Sequence, residues 1–457
     1  MSKEITMLSD ESMFLRRLFE TLNVRGIVYA VARRMPSLPE SLDGSDLDVM
    51  VPSETELVRL VGTVKEVAQS LNGGFTSIFK GDYASFRLPR AYIASLAGRY
   101  DNGNWWGLHI DMYVGADFHG IEYMDSSMIM AGRTFVNGCY WCLGNLSDVS
   151  NFVKEILHNG RMKKNYRELA KAAYSFNRDA AHKALERHFG DMVNYIEHLL
   201  FKYGDESFKQ AQGKLRRALV WQCGVANAFM ARSANLFYRA KRFFNPPGFF
   251  LVVLGTDGSG KSTIINVVTP FLENMTHLKV EYHHLRPCWL PSLSRLTGKP
   301  QKPGPVTDPH GGKAAGRLSS ILRFFYYYVD YTLGHLVNIH LVKAKRSVVI
   351  IGDRWYYEYI IDPRRCAVRL PKWMPQLFMH LIPKPDFILC LGGDPEKIYA
   401  RKPETSLEEV KRQVTALKKF CDGNHRAVWI DTTKSIEESA NAALTAILER
   451  MARRCVP

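Results

Sequence analysis

Apolar positions follow two rhythms along this chain. Between residues 148 and 238 they recur at helical spacing, as in Phe152, Ile156 and Leu157 and again in Leu185, Phe189, Met192, Ile196 and Leu199. Steps of three and four residues place such side chains on one face of a helix. On either side of that stretch the apolar residues gather in short runs instead. Residues 26–32, 47–51, 107–114 and 134–143 read as strands of a mixed α/β region. Residues 249–254, 347–351, 387–391 and 427–430 read as strands alternating with helices, which predicts an α/β unit with a parallel sheet covered on both faces. Asn245-Pro246-Pro247-Gly248 ends the helical stretch, because neither proline can continue it. The expected layout is therefore a first domain over 1–147, a helical connector over 148–246 and a second domain over 247–457. One more apolar run, 318–342, is interrupted by Arg323, Asp330, His335 and His340. Ionisable groups at that density argue against a transmembrane segment and predict a long, mostly buried helix.

Composition narrows the class. At 457 residues the chain exceeds what one hydrophobic core supports. With 46% hydrophobic and 23% charged residues it reads as a soluble globular protein. Its net charge of +16 favours anionic partners: nucleotides, nucleic acid, phosphorylated glycans or an acidic membrane surface. Eight scattered cysteines and a start without a basic, apolar leader predict a cytoplasmic location. Cys139 and Cys142 have metal-ligand or redox spacing, but no second pair completes a zinc site, so they read as buried thiols. Lys214, Arg216, Arg217, Arg232, Arg239, Lys241 and Arg242 interleave with Leu, Trp, Phe and Tyr. That basic helix would either pack its solvated face against the next domain or contact an anionic surface.

The chemistry concentrates after position 248. Gly255-Thr256-Asp257-Gly258-Ser259-Gly260-Lys261-Ser262-Thr263 follows one apolar run and precedes the helix-like Ile264 to Val268. Strand, glycine loop and helix are the context of a phosphate-binding loop. Its glycines let successive N–H groups converge on phosphate oxygens at the positive end of a helix. Lys261 would reach the β and γ phosphates and Ser262 would hold Mg²⁺, so a nucleoside triphosphate, ATP, is the expected ligand. A second apolar run ends in Asp353-Arg354. There a carboxylate can orient Mg²⁺ or accept a hydroxyl proton, and a guanidinium can fork onto phosphate oxygens. Asp362-Pro363-Arg364-Arg365 and then Asp394-Pro395-Glu396 with Arg401-Lys402-Pro403-Glu404 follow. Mobile cations of that kind can close over a triphosphate; a plain surface charge cluster is the alternative for Lys402.

These residues together resemble the thymidylate-kinase-like P-loop kinases. The resemblance covers roughly 249–447 and rests on the glycine loop, Asp353-Arg354, Pro385-Asp386, Asp394-Pro395-Glu396 and Arg401. It implies a three-layer parallel-sheet kinase fold. In that family an arginine stands either in the loop or in the lid; Gly258 and Ser259 leave none in the loop, so Arg401 inherits the role by resemblance. The segment expected to carry the acceptor-holding arginine reads His283-His284-Leu285-Arg286-Pro287-Cys288 instead of an Arg-Glu-Pro-Gly type. That departure, with Asp353 to Arg365 and Ala400 to Glu404, looks like the divergent kinases encoded with bacterial surface-polysaccharide genes.

The first half carries a second acidic constellation. In Gly44-Ser45-Asp46-Leu47-Asp48 two carboxylates alternate along a strand, and Leu108-His109-Ile110-Asp111 offers a third. Three converging acids can hold Mg²⁺ ions. This resembles the nucleotidyltransferase fold, although the upstream Gly-Ser turn is replaced by Val31 to Pro36, where Arg33 and Arg34 would have to supply the grip. The reading as a whole is an ATP- and Mg²⁺-dependent kinase acting on a small-molecule acceptor, such as a sugar or glycan precursor. A nucleoside monophosphate (thymidylate) kinase and a nucleotide-gated scaffold that binds polyanion or membrane are the alternatives.

Overall fold

Strands form wherever the apolar runs predict them, and also in places the pattern hides. The computed structural model describes residues 10–32, 35–142, 146–202, 207–276, 278–296, 316–366 and 368–455, which leaves Arg33 and Arg34 outside the described residues. The chain divides into two compact units, built on Leu8–Lys241 and Arg242–Arg454.

The first unit contains β1 (Ala30–Val31), β2 (Leu47–Val51), β3 (Gly73–Gly81), β4 (Ala91–Arg99) and β5 (Trp105–Val114). After them come β6 (Ala116–Phe118), β7 (Ile121–Met124), β8 (Thr134–Val136) and β9 (Cys139–Trp141). Seven of these join in the order β3-β4-β5-β2-β1-β9-β8, and β6 pairs with β7 separately. Only two residues of 26–32 are strand, and 134–143 is a hairpin rather than one strand. Asn137 and Gly138 make its turn, with φ of 51° and 83°. Two central residues at positive φ match the right-handed twist of the flanking strands, and Asn-Gly is the usual pair there. Side-chain alternation divides the sheet: Val31, Val49, Val51, Ile110 and Met112 pack with helices Ser12–Val24 and Glu54–Ser70. Ala30 and Met50 face a second core shared with helices Leu146–Asn159, Arg178–Phe189 and Ser207–Cys223. The helices that follow residue 146 thus share a core with the sheet. Cys139 and Cys142 are buried free thiols.

The second unit has a five-stranded sheet, all parallel, in the order β11-β12-β10-β13-β14. Its members are β10 (Phe249–Gly255), β11 (Lys279–His284), β12 (Val348–Asp353), β13 (Phe387–Gly392) and β14 (Ala427–Asp431). β10, β12 and β13 are buried along their whole length, as strands covered by helices on both faces must be. At the sheet's lower edge Asp386 accepts the Phe250 N–H at 2.7 Å and pairs with the buried Lys343. Burial opposes its charge, but Lys343 and Arg454 hold Asp386 below the usual carboxylate range. A depressed carboxylate contributes stability that is present above its unfolded pKa and fades as pH falls through the folded value. Asp386→Ala leaves Lys343 buried and uncompensated, so chemical denaturation should show a loss of about 3–5 kcal/mol.

The run 318–342 is helical but not mostly buried. α-Helix over Arg317–Val329 passes into π-helical turns at Asp330–Gly334 and Leu336–His340 and ends as α-helix at Leu341–Lys345. Leu318, Leu322, Val329, Leu333 and Val337 are substantially exposed along it. The first widened turn begins at Asp330, which is fully buried and accepts the N–H groups of Trp289 and Leu290 at 2.8 and 3.0 Å. Among the described residues no helix is long and apolar enough to cross a membrane.

Candidate active site

The site forms where β10 ends. Beyond Gly255 the chain turns through Gly258 and Gly260, with φ of 77° and 76°, conformations that only glycine adopts at no steric cost. The 16-residue helix Lys261–Thr276 follows directly. The turn is tightly enclosed. A Cβ on Gly255 would lie 2.8 Å from the Leu391 carbonyl, and one on Gly258 2.7 Å from that of Ile398. Ser259 Oγ and Thr256 Oγ1 are buried in the loop without hydrogen-bond partners. Ser262 and Thr263, one step into the helix, are exposed. The Lys261 ammonium is buried and donates to the carbonyls of Gly255 and Thr256, both at 2.7 Å. Burial, aided by Arg354, pulls its pKa down to about 8 against Asp257, Glu358 and Asp353.

Parallel pairing of β10 with β12 sets Val253 opposite Asp353, and the Arg354 N–H donates to the Val253 carbonyl at 2.9 Å. The carboxylate and guanidinium therefore stand beside the loop, as strand order alone requires. Asp353 Oδ2 accepts from the Tyr282 hydroxyl at 2.6 Å and lies 3.3 Å from His284 Nδ1. Asp353 Oδ1 is buried and has no partner. Burial works against the charge, but His284, Tyr282 and Lys261 hold Asp353 below its ordinary pKa. Arg354 adopts φ 59°, a strained position for a side-chain-bearing residue. Its guanidinium donates to Asp257 Oδ1 at 2.6 Å and lies 3.7 Å from Glu358. Arg365 holds the other oxygen of Asp257 at 2.6 Å. Burial raises Glu358 to about 7 against the pull of Arg354 and Lys261.

Arg401 closes the helix Pro395–Arg401 and donates to the Thr432 carbonyl at 2.8 Å. It lies near the loop: Thr432 Cβ is 4.0 Å from where a Gly260 Cβ would be, and Lys402 Cβ is 3.2 Å from that of Gly258. The Lys402 ammonium pairs with Glu404 at 2.9 Å, and Arg364 is exposed, 3.6 Å from Glu409. Arg286 donates to Asp330 at 2.5 Å and to the Leu290 carbonyl at 2.6 Å, so it holds a loop together.

Several site residues escape the sequence pattern. Tyr282 and His284 sit two apart on β11 and share a face, but the mixed polar run 279–284 gives no strand signal. Glu358 and Arg365 are visible only as charges near a motif, and nothing in their spacing shows that both bear on the glycine loop.

In the first unit Asp48 and Asp111 are register partners on parallel β2 and β5. They share the face of Met50 and Tyr113. Asp48 is buried, and His109 Nε2 lies 3.3 Å from Asp111. Burial lowers the His109 pKa, but Asp111, Asp46 and Asp48 carry it upward overall. A cavity of about 190 Å³ beside them is lined by Asp82, Arg90, Asp111, Lys154 and His158 among others. Among the described residues no group of three or more His, Cys, Asp or Glu side chains is arranged to hold a metal ion.

A thymidylate kinase is similar in structure. That enzyme, from Ehrlichia chaffeensis, aligns over 44% of this chain and 100% of its own, at 17% identity and a TM-score of 0.31. No protein-family model matches the sequence, and no curated protein matches it.

Proposed function

We propose that the second unit transfers the γ-phosphoryl group of ATP to a small-molecule acceptor, with a sugar or glycan precursor as the favoured class. The observation that supports this most is the meeting of Lys261, on the glycine turn, with Asp353 and Arg354 on the adjacent parallel strand. The amides of 258–262 and the start of the helix would bind phosphate oxygens, and Lys261 would leave its carbonyls for the β and γ phosphates. The acceptor oxygen attacks the γ phosphorus, the bond to the β,γ-bridging oxygen breaks, and ADP leaves. The acceptor proton passes to Asp353 or to water. Arg354 and Arg401 would counter the charge that spreads over the transferring group. The unpartnered Asp353 Oδ1 and the exposed Ser262 hydroxyl suit Mg²⁺, whose chemistry there is to neutralise phosphate charge.

The Arg286–Asp330 pair weighs against thymidylate as acceptor, since the arginine nearest in sequence to that role is already committed. An ADP-release screen over phosphosugars, free sugars and nucleoside monophosphates separates the readings. Turnover of sugars or their phosphates supports the proposal; exclusive turnover of thymidylate replaces it; tight ATP binding without turnover of any acceptor leaves the scaffold. A second reading, nucleotidyl transfer by the first unit, is favoured by the register pairing of Asp48 with Asp111, beside which His109 lies 3.3 Å from Asp111. Release of pyrophosphate that vanishes in Asp48→Asn would establish it.

Lys261 also predicts a pH dependence. Its cation predominates below about 8 and is progressively lost above, and only the cation attracts phosphate. Nucleotide affinity measured by calorimetry should be level on the acid side of that point. Above it, affinity should fall by up to about tenfold per pH unit, with proton uptake on binding. Affinity that stays level, with no proton uptake, contradicts this role.

A further inference from the structure

We propose that the outer face of the helix Val225–Phe244 docks the protein onto an anionic phospholipid surface. From Ser207 to Phe244 the sequence has eight Lys and Arg and no Asp or Glu. In the first unit this helix buries only the small residues Ala228, Ala231 and Ala234. Its inner side is pinned. Asn235 donates to the carbonyls of Tyr83 and His119 at 2.8 and 3.1 Å and accepts the Tyr83 N–H. The Tyr238 ring stacks on Tyr83 with centroids 3.8 Å apart, and its hydroxyl donates to the Phe86 carbonyl. These contacts fix which side faces outward.

The outward side is apolar. Phe229 is 72% exposed, Leu236 68%, Val225 59% and Phe237 54%, and Trp221, at the end of the preceding helix Ser207–Cys223, is 75% exposed. Phe86 of the neighbouring loop, 51% exposed, meets Phe237 edge-to-face. At 3.6 residues per turn, Val225, Leu236, Phe229, Phe237 and Met230 occupy an arc of roughly 140°. Arg232 and Arg239 border that arc on one side and Lys241 on the other. Lys241 also lies close enough to Lys80 to depress its pKa, after burial. An apolar arc edged by cations fits the boundary between headgroups and acyl chains of an acidic membrane, where rings insert and cations meet lipid phosphates. A second copy of this chain would bring cation against cation along the same edges. A nucleic acid would leave the rings of Phe229 and Phe237 and the side chain of Leu236 in water. Among the described residues no helix is long and apolar enough to cross a membrane, and an apolar arc on one side of a helix fits a contact in the plane of the interface.

The test is co-sedimentation of the whole protein with vesicles of phosphatidylglycerol and phosphatidylcholine, against phosphatidylcholine alone, at low and high salt. Binding should require the anionic lipid and weaken with salt. The variant Phe229→Ser/Leu236→Ser/Phe237→Ser and the variant Arg232→Glu/Arg239→Glu should both lose binding, the latter by at least about fivefold for each cation removed. Melting temperatures should hold, because these side chains are exposed. Three outcomes overturn the proposal. One is no preference for anionic vesicles. Another is loss in the arginine variant with the apolar variant unchanged, which marks a general polyanion contact. The third is lipid-free self-association abolished by the apolar variant while vesicle binding persists.

Discussion

Lys261→Ala should lower ATP turnover by about a hundredfold to a thousandfold, measured as ADP release with any acceptor that the wild-type protein uses. The expectation follows from position. The ammonium is buried at the turn between β10 and its helix, and it donates hydrogen bonds to the Gly255 and Thr256 carbonyls. A lysine held at about 8 by burial is a cation the fold disfavours. In linkage terms a depressed lysine costs stability at every pH below its unfolded value, so its removal should leave the melting temperature level or higher. Lost turnover with retained stability distinguishes a phosphate ligand from a structural contact. Turnover within a few-fold of wild type ends the kinase reading of this loop.

Asp353→Asn should lower kcat by about a hundredfold or more, with folding intact. The amide keeps the shape of the carboxylate and can still accept from the Tyr282 hydroxyl, but it neither holds a cation nor takes a proton. The effect should fall on kcat, since the Lys261 contacts to nucleotide remain. His284→Gln is the informative companion. It leaves the carboxylate in place and removes a group that holds Asp353 below its ordinary pKa, so it should move the acid limb of the kcat profile toward higher pH. If Asp353→Asn changes only KM, the carboxylate positions substrate and takes no part in the transfer.

The parallel sheet of the second unit was legible because buried parallel strands read as unbroken apolar runs. Residues 249–254 and 387–391 grow by one residue each to become β10 and β13. What pattern reading lost were strands whose burial is partial or whose residues are small. β11 alternates Val280 and Tyr282 with Lys279, Glu281 and histidines, and β3 and β4 are rich in Gly, Ser and Ala. The hairpin β8–β9 was concealed inside a single apolar stretch, although Asn137-Gly138 carried the turn signal. No periodicity could have shown the π-helical turns at Asp330–Gly334 and Leu336–His340. The site divides in the same way. Loop, lysine and Asp353-Arg354 were readable as a motif, whereas the grip of Arg354 and Arg365 on Asp257 depends on chain crossings that spacing does not encode. The basic helix was readable as charge, but only burial shows that its rings point outward.

The most direct test is a crystal structure with a non-hydrolysable ATP analogue and Mg²⁺. The account predicts β and γ phosphates within hydrogen-bond distance of the amides of 258–262 and of Lys261 Nζ, with the metal between Ser262 and Asp353. A triphosphate bound elsewhere, or one that leaves Lys261 on its two carbonyls, contradicts it.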